Sequence, residues 1–238
     1  KKIHFVIDKT IKSKNLNKIF SKKYKNYIPK ISDVIVVIGG DGFMLESLKK
    51  YQKYKKPFFG MNKGTFGFLM NKFRIHNIKR SINKARPIHI SALEMLATTK
   101  SGLKKKAIAI NEISLLRQSR QTASLQIINN RKTLIKKLMC DGILVSTPAG
   151  STAYNMSANG PILSLNSRKL AITPISPFRP RRWRGKIVAS TSLIEIKNLN
   201  NRKRPVSVVA DNFEVRNIKN VKIRINNNIN FKLLYDKN

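Results

Sequence analysis

The run "VIVVIGGDGF" at residues 34–43 constrains this chain more than any other feature. Five consecutive β-branched residues, Val34 to Ile38, cannot alternate between core and solvent. The strand they form must be buried on both faces, as in a parallel sheet covered by helices. It stops at Gly39, Gly40 and Gly42, with Asp41 among them. Glycines after a buried strand let backbone amides approach a phosphate, whereas a carboxylate in that position repels one. Asp41 either caps the next helix or serves chemistry, and a Gly/Asp turn alone does not decide which.

The neighbouring segments extend the pattern. "IHFVI" reads as a strand, and residues 11–25 as a Lys-rich helix with Leu16, Ile19 and Phe20 on one face. Residues 43–55 place Met44, Leu45, Leu48 and Tyr51 on one stripe, "PFFGMN" is another short strand, and 75–85 another helix. This alternation predicts a doubly wound α/β domain over residues 1–86, with ligands at the carboxyl ends of its strands, where the glycines fall. After Arg86-Pro87 short alternating runs take over: "KKAIAI", "SLQIIN", "GILVS", "LIEIK", "RPVSVVA", "VKIRI". In the last, Val221, Ile223 and Ile225 point one way and Lys222 and Arg224 the other. They predict an antiparallel, sandwich-like, β-rich domain over 87–215, and strands over 216–238 that return to the first domain. The expected fold class is α/β + β.

Charge narrows the partners. The 238 residues carry 49 Lys+Arg against 11 Asp+Glu, a formal net charge of +38, which invites a nucleic-acid reading. The lysines are spread along the chain, however, in a sequence heavy in Lys, Asn and Ile, and a positive field equally speeds the approach of small polyanions. Single-strand binders interleave aromatic platforms with a basic groove. Here aromatics are 8%, with one tryptophan, Trp183, inside "RPRRWRG". That segment suits either a polyanion contact or a subunit interface built on Arg–carboxylate pairs. No specific nucleic-acid partner is expected. No apolar run approaches the ~20 residues of a membrane span, so no membrane partner is expected either. "KKIHFVID" breaks at Asp8 too early for a signal segment, and a cytoplasmic location is the default expectation. Cys140, the single cysteine, lies beside Asp141 and reads as a buried structural thiol. His4, His76 and His89 lack metal-ligand spacing.

Neither G-x-x-x-x-G-K-[ST] nor G-x-G-x-x-G is present. A second glycine turn does follow a short strand, in "GMNKGTFGFL" (60–69), with Asn62, Lys63 and Thr65 beside its glycines. Two such turns on neighbouring parallel strands would line one crevice. Asn111-Glu112, at the end of "AIAI", can accept hydrogen bonds from ribose hydroxyls or an amino group, or can be a solvated strand end. "DGILVSTPAGSTAYNMSANGP" (141–161) combines an acid, hydroxyls, small residues and Tyr154, a set that suits a nucleoside better than a core. Ser151 or Thr152 is expected to cap a short helix there.

Taken in order and at this spacing, "GGDG", "GxNxGxxGFL", "NE" and "DG…STPxGSTAY" make the chain similar to NAD kinases, the enzymes that phosphorylate NAD to NADP. "SPFRPRRWRG" resembles a bacterial subgroup of that family. The resemblance implies that Asp41 is the general base on the adenosine ribose 2′-hydroxyl as it attacks the γ-phosphorus of ATP. It implies that Gly39, Gly40 and Gly42 face the phosphates, and that Mg²⁺ rides on the triphosphate and relieves its repulsion with Asp41. NAD would contact Asp41, Gly42, Asn111, Glu112, Asp141 on the nicotinamide side, Ala149, Thr152, Ala153, Tyr154, Asn155 and Ser157. A homo-oligomer, tetramer or dimer, with NAD and ATP as its small-molecule partners, is also implied. Three residues depart from the family pattern: Asn159 and Asn212, where glycine is common, and Met139, where a basic residue is. Lipid kinases share the GGDG turn but lack the NE and STPxGSTAY pair.

Overall fold

The computed structural model describes residues 1–9, 13–64 and 67–236. It forms two compact units, Lys1–Ile90 with Ile229–Asn238, and Ser91–Asn228. The elements, in order, are β1 (Ile3–Ile7), α1 (Ser13–Lys23), β2 (Val34–Gly39), α2 (Asp41–Tyr51), β3 (Phe58–Asn62), β4 (Asn71–Lys72), α3 (Ile78–Lys84), β5 (Arg86–Thr99), β6 (Lys104–Ala109), β7 (Glu112–Arg117), β8 (Ala123–Asn129), β9 (Lys132–Cys140), β10 (Gly142–Ser146), α4 (Tyr154–Ser157), β11 (Lys169–Ile175), β12 (Lys186–Ala189), β13 (Ile194–Asn198), β14 (Val206–Ala210), β15 (Phe213–Val215) and β16 (Ile218–Tyr235).

In the first unit β1, β2 and β3 run parallel in that order. β4 and the end of β16 both pair parallel with β3. Every residue of β2 is buried, as an all-aliphatic central strand requires. Its even positions, Val34, Val36 and Ile38, share a cluster with Leu16 and Phe20 of α1 and Ile78 and Ile82 of α3. By alternation Ile35 and Val37 face the other way. Helix α2, which packs on β2 and β3, buries Met44 and Leu48 completely. Helices on both faces make the unit doubly wound. Among the described residues no helix is long and apolar enough to cross a bilayer.

The second unit is a sandwich. One sheet runs β12-β11-β10-β7-β14-β15, antiparallel throughout. Facing it, β9, β8, β13 and the first part of β16 pair antiparallel in sequence, and β5 pairs with β6. Their inner faces share one core, in which Leu125, Ile127, Ile196 and Ile223 meet Ile113, Leu115, Ile143, Ile172 and Val208. Cys140 is a free thiol in this core, and burial pushes its pKa up to about 12, which suppresses the thiolate. Trp183 packs against the same core, while Arg179 and Arg181 lie over the ring of Phe178. The tryptophan is therefore half-buried, with one side packed on the core.

One open alternative is closed and one capping expectation is corrected. Gly40 is the N-cap of α2 and offers no side chain, so Asp41 begins the helix instead of capping it. Neither Ser151 nor Thr152 caps α4, whose N-cap is Ala153. Ser151 lies in a 3-10 turn, Ala149–Thr152, and its hydroxyl bonds the backbone of Pro148 and Leu163. There it closes a loop in place of starting a helix.

Candidate active site

In the first unit, β2 delivers the chain to Gly39 and α2 begins two residues later. The Asp41 carboxylate turns to the second glycine turn. Its Oδ2 accepts the amide of Phe68 at 2.8 Å and its Oδ1 that of Leu69 at 3.1 Å. One more bond joins the turns, and their backbones approach closely. The Lys63 amide donates to the Gly39 carbonyl at 2.8 Å, and a side chain on Gly64 would point at the Cα of Gly40, 3.6 Å away. Asn62 Oδ1 accepts the Gly64 amide at 2.8 Å. Thr65 lies outside the described residues. The expected pairing of the two turns is thus present, with Asp41 as the tie.

The glycines differ in what they answer to. Gly60 is packed closely, since a Cβ would displace the ends of the Met70 and Met44 side chains. Gly40 and Gly42 have open space where a Cβ would stand, and neither has the positive φ that favours glycine. Gly42 lies in the first turn of α2, where glycine still gives up backbone entropy relative to alanine. The fold itself gives no reason for glycine there.

Tyr235, at the end of β16, is a further member of this neighbourhood. Its hydroxyl donates to the Phe68 carbonyl at 3.3 Å. Burial, and then the charge of Asp41, raise its pKa above the usual phenol value.

The second unit holds the other expected residues. Asn111 and Glu112 lie where β7 begins, and the 3-10 turn packs directly on them. Gly150 approaches so closely that a Cβ would overlap the Asn111 carbonyl. That carbonyl accepts the Thr147 amide at 2.9 Å and the Thr147 hydroxyl at 3.1 Å. Asn111 Oδ1 and Glu112 Oε2 are buried yet without a hydrogen-bond partner. Unpaired buried acceptors are costly, and a ligand that donates to both would relieve the cost. Burial, then the negative charge of Asp211, raise the Glu112 pKa from 4.5 to about 7.

Since this folded-state pKa lies above the unfolded one, Glu112 is tolerated in full below pH 4.5, and stability is lost as pH rises through about 7. Glu112→Gln is therefore expected to stabilise the ligand-free protein at pH 8 by up to roughly 3 kcal/mol, and to change little near pH 4. Urea unfolding at the two pH values measures this. Equal stability of the two proteins at pH 8 would show that Glu112 ionises freely.

Tyr154 is half-buried and, with Ser157, Asn159, Pro174, Arg181, Trp183 and Arg184, lines a cavity of about 500 Å³. Burial, then the charges of Glu112 and Asp141, raise the tyrosine's pKa. Ala149 is buried, Thr152 and Ala153 are half-buried, and Ser157 is exposed. Asn155 is fully buried, and its amide bonds the carbonyls of Ser151 and Pro161 and the Thr173 hydroxyl. It builds the loop. Asp141 pairs with Arg117 Nε at 2.6 Å, and Met139 exchanges backbone hydrogen bonds with Phe178 and Arg179.

The glycine departures are explained by backbone geometry. Asn159 has φ +59°, a left-handed conformation that asparagine tolerates better than most residues. At Asp211-Asn212 the positive φ falls on Asp211, so Asn212 carries no strain. Asp41 and its glycines thus belong to the first unit, and Asn111, Glu112, Asp141 and the 149–157 loop to the second. Among the described residues no group of three or more His, Cys, Asp or Glu could hold a metal ion.

Comparison with known proteins gives a consistent result. The family described as "ATP-NAD kinase N-terminal domain" matches residues 6–90, and "ATP-NAD kinase C-terminal domain" matches residues 110–231. A protein of Brucella suis named NAD kinase is 44% identical over 236 residues, covering 99% of this chain and 92% of its own. One of Zymomonas mobilis with the same name is 47% identical over 231 residues, with 96% and 90% covered. Among solved structures, yeast NADH kinase complexed with NADH superposes with a TM-score of 0.81 at 20% identity, over 100% of this chain and 84% of the other. An NAD kinase from Archaeoglobus fulgidus in complex with ATP gives 0.75 at 24% identity, over 100% and 94%. At these identities the two structures speak for the fold.

Proposed function

This chain belongs to the NAD kinase family, and on that premise we propose that Asp41 is the base of its reaction. The activity is the ATP-dependent phosphorylation of NAD to NADP. In the step proposed, Asp41 accepts the proton of the adenosine ribose 2′-hydroxyl. The 2′-oxygen bonds to the γ-phosphorus, the bond to the β–γ bridging oxygen breaks, and ADP leaves. A carboxylate is a weak base for an alcohol, but phosphoryl transfer depends mostly on positioning and charge stabilisation.

The observation that carries this reading is the double amide tether on Asp41. A carboxylate has about four lone-pair sites, so two remain for a hydroxyl after Phe68 and Leu69 are bound. The tether also fixes the side chain before substrate arrives, which is what a positioning mechanism needs. Gly39, Gly40 and Gly42 offer amides to the triphosphate, and the open space at Gly40 and Gly42 gives it clearance. Mg²⁺ enters as part of the ATP substrate and offsets the charge that Asp41 would otherwise repel. On the acceptor side, Glu112 and Asn111 offer their unpartnered oxygens to the ribose or an amino group, and Tyr154 offers a ring face.

Assembly as a homo-oligomer in the cytoplasm, with no specific nucleic-acid or membrane partner, completes the proposal. It rests on the family resemblance, and the net charge of +38 serves the approach of two polyanionic substrates.

Gly42→Ala tests the phosphate assignment in a coupled assay for NADP with Mg²⁺-ATP and NAD. The variant is expected to melt at or slightly above the wild-type temperature, because alanine costs less backbone entropy in the first turn of the helix and its methyl meets nothing. Its KM for ATP should rise tenfold or more. A folded variant with unaltered ATP kinetics would mean that no phosphate approaches this turn. Phosphorylation of a lipid in place of NAD by the wild type would reverse the acceptor.

A further inference from the structure

The strand end that carries Asn111 and Glu112 is held by a residue a hundred positions further along the chain. Asp211 Oδ2 accepts the Ile110 amide at 2.8 Å and its Oδ1 the Asn111 amide at 2.9 Å. Its own amide donates to the Glu112 carbonyl at 3.1 Å. One residue thus engages three successive residues of the strand end. To do so it adopts φ +51°, a left-handed conformation that costs an aspartate something. A plain turn between β14 and β15 would be served better by glycine. We propose that Asp211 is the positioning residue of the dinucleotide site, fixing Asn111 and Glu112 so that their unpartnered oxygens meet the donors of NAD. The proposal rests on the reading of the acceptor site given above and deepens it.

The same carboxylate acts on Glu112 through space. Asp211 and the Tyr154 phenol are the titratable groups that couple to Glu112, and among the described residues no salt bridge reaches it. Beside Asp211, and buried, Glu112 keeps its proton up to about pH 7 when no ligand is present. Hydroxyl or amino donors of the dinucleotide favour the carboxylate form. Binding NAD therefore expels a proton, and affinity rises with pH until about 7 and then levels.

The test is calorimetry of NAD binding to the whole protein at pH 6, in buffers of different ionisation enthalpy, followed by NAD affinity from pH 5.5 to 8.5. Wild type is expected to release about one proton per NAD at pH 6, and little at pH 8.5. Asp211→Asn suits the left-handed backbone but removes the charge and one of the two amide contacts. It should weaken NAD about tenfold at pH 8, and move the midpoint of the pH dependence to lower pH. Asp211→Gly, which relaxes the backbone and removes the side chain, should show the same two changes if the asparagine variant does not fold. Removing the charge moves the midpoint in any case, so the discriminating readout is affinity at pH 8.5, where Glu112 is ionised in every variant. A purely structural aspartate would lower the melting temperature and leave that affinity where it was. The positioning role is overturned if both folded variants keep wild-type affinity at pH 8.5, and the coupling to Glu112 is overturned if wild type binds NAD without releasing a proton. Failure of the wild type to bind NAD at all would instead overturn the reading of the acceptor site.

Discussion

Asp41→Asn is expected to lower kcat by 10²- to 10⁴-fold, the range a positioned general base contributes, while the Kd for NAD changes by no more than a few-fold. Asparagine has the shape of aspartate and keeps one oxygen for either the Phe68 or the Leu69 amide. Its amino group then faces the other amide, so one tether is lost. The turn remains joined through the Lys63 amide and the Gly39 carbonyl, so the fold should survive, as a melting curve will show. A loss confined to kcat identifies an interaction made only in the transition state. Near-normal turnover in a folded variant would remove Asp41 from the chemistry and leave it as a link between two turns.

Gly150→Ala is expected to be the most damaging change on the acceptor side. The added methyl would overlap the Asn111 carbonyl, which is backbone and cannot swing aside. Thr147 grips that same carbonyl from its amide and its hydroxyl, and Asp211 grips the Asn111 amide. Relief requires the Asn111-Glu112 peptide to move as a whole. Forced overpacking of this kind costs about 1–3 kcal/mol, and it displaces the two unpartnered oxygens together. We expect a drop in melting temperature and a loss of NAD affinity of a hundredfold or more. Titration of NAD into the folded variant measures it. Wild-type affinity there would mean that the position of Asn111 is immaterial to NAD.

Much of this was legible in the sequence where the signal is local. "VIVVI" could only be a strand covered on both faces, and all of β2 is buried. The alternation of "VKIRI" survives in β16, where Val221 and Ile223 are buried and Lys222 and Arg224 exposed. The two glycine turns were visible as turns, and their junction followed from neighbouring parallel strands. What joins them was not visible, because the Asp41 tether spans 27 and 28 residues and depends on the path of the second turn. Asp211 and Tyr235 were harder still. Their partners lie about a hundred or more positions away in the chain, at Ile110 and Phe68. A carboxylate in a hairpin turn and a tyrosine in a terminal strand carry no local signature of those contacts. The capping expectation failed for a related reason. Ser151 has the composition of an N-cap, but the close approach of Gly150 to Asn111 tightens the chain into a 3-10 turn first.

In the proposed reaction the Asp41 carboxylate receives the proton of one particular hydroxyl. A structure of the complex with NAD, Mg²⁺ and an unhydrolysable ATP analogue tests it most directly. The ribose 2′-oxygen of the adenosine half is expected at about 2.6–3.2 Å from an Asp41 oxygen, with the γ-phosphate against Gly40 and Gly42. The 3′-hydroxyl or the nicotinamide half in that position, or Asp41 still bonded only to Phe68 and Leu69 with the 2′-oxygen out of reach, would contradict it.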